Sequence, residues 1–103
     1  MNMITLINVF TVEPANQQRL VDLLVRVTDE FVRQSPGFAS SALHRSFDGS
    51  KVTMYAQWRS VEDYEAMRRD LRPLPLFEEA LTLAKFDPGM YEVGRTFSPV
   101  GSP

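Results

Sequence analysis

Residues 38–58 read FASSALHRSFDGSKVTMYAQW, and this stretch decides the fold. Phe38–Phe47 has an extended pattern, Asp48–Gly49–Ser50–Lys51 is hairpin-turn composition, and Val52–Trp58 alternates as the returning strand. A hairpin in mid-chain makes two antiparallel neighbours, so everything outside it must be placed around that pair. Upstream, Met3–Val12 is a strand rich in Ile, Leu, Val, Phe and Thr that stops at Glu13–Pro14. From Ala15 to Arg33 the period becomes helical: Leu20, Leu23, Leu24, Val27 and Phe31 form one stripe, and Ser35–Pro36–Gly37 closes the helix.

Downstream, Ser60 is a predicted N-cap with Asp63 three residues on, and Val61, Tyr64, Met67 and Leu71 make the apolar stripe of a second helix. Arg72–Pro73–Leu74–Pro75 breaks it, because two prolines cannot continue the ladder. Leu76–Ala84 is predicted as a further short helix, Asp87–Pro88–Gly89 as a turn, and Met90–Ser98 as the last strand. The order β-α-β-β-α-β is the split βαβ plan: an α+β, ferredoxin-like domain with a four-stranded antiparallel sheet. One domain over residues 1–98 is expected, followed by a flexible tail over 99–103.

In this plan the helices cover one face of the sheet, and the other should be polar if it meets water. On the first strand Ile4, Leu6, Asn8, Phe10 and Val12 point one way, and Thr5, Ile7, Val9 and Thr11 the other. Ile7, Val9 and Tyr55 thus fall on the face away from the helices. A second sheet packed there, in a homodimer, is the expectation.

Composition narrows the chemistry. The chain has 103 residues, 44% hydrophobic and 23% charged, with a net charge of −2 that offers no basic footprint for nucleic acid or an anionic membrane. Without cysteine it has no thiolate metal site, iron–sulfur cluster or cysteine nucleophile. Its start, MNMITLINVF, lacks the features of a signal peptide and no apolar run reaches membrane-span length, so a soluble, cytoplasmic protein is expected. The single histidine, His44, has no nucleophile elbow to serve, and one His without Cys makes a poor metal site. A surface or hydrogen-bonded strand role suits it best. No Gly-rich loop joins a strand to a helix, so no resident dinucleotide or phosphate site is expected.

Two positions stand out. Asn8 is a polar residue in an apolar strand, costly unless its amide has partners. Trp58, the only tryptophan, shares a face with Met54 and Ala56, and Tyr64 follows on the next helix. By residue type alone, both Asn8 and Trp58 can also be ordinary core residues.

The stretches Leu6–Pro14, Ser35–Pro36–Gly37–Phe38 ("SPGF") and Tyr55–Ser60, with its "YAQW", resemble the antibiotic biosynthesis monooxygenase family, as does Val61–Tyr64. The likeness runs from about Ile4 to Phe97 and lies nearest to small monooxygenases of aromatic polyketide pathways. It implies a dimeric α+β barrel that oxidises an anthrone or phenol to a quinone with molecular oxygen, using no bound cofactor and no metal. By position, Trp58 matches the family's pocket tryptophan and Asn8 its first-strand asparagine, both with catalytic roles. A second asparagine of some members falls on Met54, and a later arginine falls near Glu78. The haem-degrading relatives' iron-binding histidine has no counterpart in Leu76–Ala84. The pocket implied is walled by Met54, Tyr64, Met67, Phe77 and Leu81. Two alternatives stay open: a non-catalytic or cyclase-like dimer binding an aromatic polyketide, and a reduced-flavin-dependent ring-cleaving oxygenase.

Overall fold

The computed structural model describes residues 3–101. Four strands, β1 (Ile4–Val12), β2 (Phe38–Arg45), β3 (Lys51–Trp58) and β4 (Ala84–Tyr91), form one sheet in the order β2-β3-β1-β4. Every neighbouring pair is antiparallel. Helices α1 (Gln17–Glu30), α2 (Val61–Arg68) and α3 (Leu74–Leu83) lie on one face, giving the ferredoxin-like α+β fold.

The first helix is shorter than its periodicity suggests. Pro14–Asn16 and Val32–Gln34 are 3₁₀ turns flanking α1, tightened ends of a kind common at helix termini. The second helix stops at Arg68, so Leu71 is 67% exposed and leaves the apolar stripe expected for it. Pro73 and Pro75 open α3 rather than merely ending α2, since N–H groups in a first turn have no intrahelical partner to lose.

The last strand corrects the sequence reading. Asp87–Pro88–Gly89 is not a turn but the middle of β4, and residues 92–101 form no strand and are exposed throughout. Turn composition misleads here because β4 is a sheet edge, where a strand needs its ladder groups on one side only and proline is tolerated. Gly89 has a packing reason: a Cβ there would come within 2.6 Å of the Tyr91 ring, which covers it.

The alternation on β1 holds. Leu6, Phe10 and Val12 are buried under the helices, while Ile7 and Val9 are half-buried on the opposite face beside Tyr55, the cross-strand partner of Ile7. Two separate clusters fill the helix-covered layer. One joins Phe10, Val12 and Val52 to Leu20, Leu23 and Leu24 of α1 and Ala80 of α3. The other joins Leu6, Ala56 and Trp58 to Val32, Phe38, Tyr64 and Met67. On β1 only Asn8 faces the layer between them, and on β3 only its cross-strand partner Met54 does so. The core is split where those two residues sit.

Candidate active site

The split is a cavity of about 280 Å³, open on one side. Its floor is the sheet, with Leu6, Asn8, Met54, Trp58 and Phe86, and its roof is helical, with Val27, Tyr64, Met67 and Phe77. The volume lies just under the range for small-molecule sites, about 300–1,000 Å³, and the mostly apolar lining with a few polar groups is typical of them.

One wall is assembled by the SPGF turn. Gly37 adopts φ +86°, and a Cβ there would overlap the Asp63 carboxylate, so only glycine lets the turn dock on the start of α2. The Arg59 N–H donates to the Gly37 carbonyl at 2.8 Å. Ser60 caps α2 as expected, its Oγ accepting the Asp63 N–H at 3.1 Å, while Arg59 Nε donates to Asp63 Oδ2 at 2.8 Å. An irregularity in β2 then brings Phe38 over. Phe38 pairs with Trp58 but Ser40 pairs with Gln57, so one extra residue turns Phe38 onto the covered face. Its ring meets the Trp58 indole edge-on at 5.5 Å, and Tyr64 meets it at 5.8 Å from the helix side. Trp58 is only 1% exposed. It is at once a core residue and part of the cavity wall.

Asn8 is the polar group of the floor. Its Oδ1 is buried and has no hydrogen-bond partner among the described residues. A buried acceptor left unpaired costs about 1–3 kcal/mol, so the position is held against the preference of the strand around it. Pro88 stands opposite Asn8 on β4 and also lines the cavity. At the rim, Arg72 grips Asp70 through both carboxylate oxygens, at 2.9 and 2.7 Å. This fork, with the Arg72 backbone N–H, holds the Asp70 carboxyl below the usual carboxylate range.

Of the residues singled out from sequence, Asn8, Met54, Trp58, Tyr64, Met67 and Phe77 come together around this space. Leu81 does not: it lies outside the lining and is 42% exposed. Of its stripe on α3, Phe77 and Ala80 pack inward, and Leu81 falls at the exposed edge. His44 is exposed on β2 beside Thr53, on the face away from the cavity, and Glu78 is exposed on α3. Phe38, Phe86, Pro88, Arg68 and Asp70 line the cavity without having been singled out. Arg68 follows Tyr64 by four residues, a helical spacing that could have flagged it.

Residues 3–71 match the family described as antibiotic biosynthesis monooxygenase. The chain belongs to that family. Tetracenomycin-F1 monooxygenase of Streptomyces glaucescens is 42% identical over 104 residues, which span 98% of this chain and 93% of the relative. This membership and identity make the chain an oxidoreductase, as the likeness in Leu6–Pro14 and in the SPGF and YAQW segments implied. A monooxygenase from the gene ActVA-Orf6 of Streptomyces coelicolor, solved in complex with the ligand Nanaomycin D, is 30% identical, with a TM-score of 0.80 over 95% of this chain and 92% of its own. SnoaB, a cofactor-independent oxygenase from Streptomyces nogalater, has a TM-score of 0.81 at 22% identity, over 96% of this chain and 100% of its own. At that identity it bears on the fold alone.

Proposed function

We propose that the cavity binds a planar polycyclic anthrone or phenol of the aromatic polyketide class and oxidises it to a quinone with molecular oxygen, without a bound cofactor. The observation that carries this reading is Asn8, a polar side chain on the floor of an aromatic-walled cavity whose buried Oδ1 has no partner among the described residues. The ligand and substrate names of the two most similar relatives described, Nanaomycin D and tetracenomycin F1, support the polycyclic class.

The chemistry balances without a resident redox group. The substrate loses a proton from the ring carbon that will be oxidised, and the resulting anion passes one electron to oxygen. The ring radical and superoxide combine into a C–O bond, giving a peroxide that takes up a proton. Loss of water from that peroxide leaves the carbonyl, so one oxygen atom ends in the quinone and the other in water. Asp70, the one carboxylate among the described lining residues, is held by Arg72, so the first proton departs to solvent through the open side. Trp58, Tyr64 and Phe77 supply stacking surface for a flat ring system. The Asn8 Nδ2 group donates to the oxygen that gains negative charge as the proton leaves.

The working unit is a homodimer, with the half-buried Ile7, Val9 and Tyr55 packed against the same face of a second copy. Incubating the purified protein with dithranol, an anthrone, in air and under nitrogen tests the reaction. The expected outcome is protein-dependent quinone formation and oxygen uptake above the spontaneous rate, with no added flavin. A rate that stays at background, or rises only when reduced flavin is supplied, contradicts the proposal.

A further inference from the structure

We infer that Arg68 is the receptor for a carboxylate on the substrate, and that the cavity prefers an anionic polycycle over a neutral one of the same ring system. This rests on the oxygenase reading above and names a substrate feature that reading leaves open. Helix α2 places Tyr64 and Arg68 four residues apart, on the side that faces the cavity. The Arg68 guanidinium carbon stands 5.8 Å from the centroid of the Tyr64 ring, whose edge-on contact with Trp58 is the aromatic wall. The cation thus ends the line that begins at the indole.

The other charges at the rim are spent. Arg72 is fixed between the Asp70 carboxylate and the Phe31 ring, 5.3 Å from its centroid, and Asp70 is neutralised by that grip. Arg68 makes no ion pair among the described residues and is the one cation among them that lines the cavity. A quadrupole face steadies a guanidinium without cancelling its charge, so its N–H fork stays free for an oxyanion. A carboxylate matches that fork with two parallel hydrogen bonds. Asn8 lies on the sheet wall and Arg68 on the helical wall, so a flat ligand held at both ends has one orientation and one ring carbon presented for oxidation.

The test uses two anthrones, dithranol and rheinanthrone, which share a ring system and differ by one carboxylate. Binding is followed under nitrogen by quenching of the fluorescence of Trp58, the only tryptophan. Wild-type protein should bind rheinanthrone more tightly than dithranol, and added salt should narrow the difference. Arg68→Gln should shrink the ratio of the two affinities by about tenfold, and Arg68→Lys should restore only part of it, since a point charge lacks the fork. In air the same loss should appear in KM for rheinanthrone. Equal affinities in the wild type, or an equal loss for both anthrones in Arg68→Gln, overturns the inference while the oxygenase reading stands. Binding of neither anthrone overturns that reading and this inference with it.

Discussion

The two faces of β1 are built from similar residues and end in different states. On the covered face, Leu6 and Phe10 are almost fully buried by the chain's own helices, and the residue between them, Asn8, borders a cavity. On the open face, Ile7 and Val9 are no less apolar, yet they remain half-buried, while Thr5 at the end of the same face is buried. The covered face has spent its burial on two clusters and left a gap; the open face has its burial still to gain. The difference separates two jobs that one strand performs, holding a ligand space on one side and offering an interface on the other.

The comparison breaks most completely on the open side. Val9→Lys puts an unpaired charge into the proposed interface at a cost on the order of 3–5 kcal/mol, so the variant should elute as a monomer or fail to fold in size-exclusion chromatography. A wild-type protein that is monomeric at tens of micromolar removes the dimer. On the covered side, Phe10 is 2% exposed and stacks on Phe86 at 4.8 Å, so Phe10→Ala should lose about 3–5 kcal/mol in chemical denaturation. Oligomeric state should separate the two variants, because Phe10→Ala leaves the open face intact.

A smaller effect is expected at Trp58, which belongs to both cluster and cavity. Trp58→Phe keeps an aromatic ring between Phe38 and Tyr64 and should cost about 1–2 kcal/mol, with KM raised several-fold and kcat nearly kept. The smallest effect lies outside both faces, at the β2–β3 hairpin. Asp48 Oδ1 accepts from the Ser50 N–H at 2.9 Å, the Ser50 hydroxyl at 2.7 Å and the Ser46 hydroxyl at 2.8 Å, which lowers its pKa from 3.8 to about 2. A depressed folded pKa means stabilisation that is complete above the unfolded value and lost as pH falls through the folded one. Asp48→Asn should therefore lower Tm slightly above about pH 4, and the gap from wild type should close as the pH approaches about 2.

Much of this was legible in the residues. The alternation of β1, the helical stripe of Leu20, Leu23 and Leu24, and the hairpin at Asp48–Gly49 reflect local periodicity and turn chemistry, and they appear where expected. Asn8 and Trp58 were visible because each is an exception to its surroundings. Three things were not. Asp87–Pro88–Gly89 carries turn residues, but an edge strand tolerates them, and which strand is an edge is a tertiary fact. Phe38 reaches Trp58 only through one extra residue in β2, and a slip of one reverses the face that a period of two assigns. The rim of Arg68, Asp70 and Arg72 depends on where α2 stops, a boundary that a weakly amphipathic eight-residue helix does not announce.

The central claim is that Asn8 sits where it does for the reaction and not for the fold. Asn8→Ala, with Tm and kcat on dithranol measured on the same preparation, tests it most directly. Removing a buried acceptor that has no partner should leave Tm nearly unchanged, because the truncation also removes a desolvation penalty. Losing a donor to the developing charge should lower kcat by about 10²–10³. A large fall in Tm with kcat unchanged per folded molecule would contradict the claim and make Asn8 a structural residue.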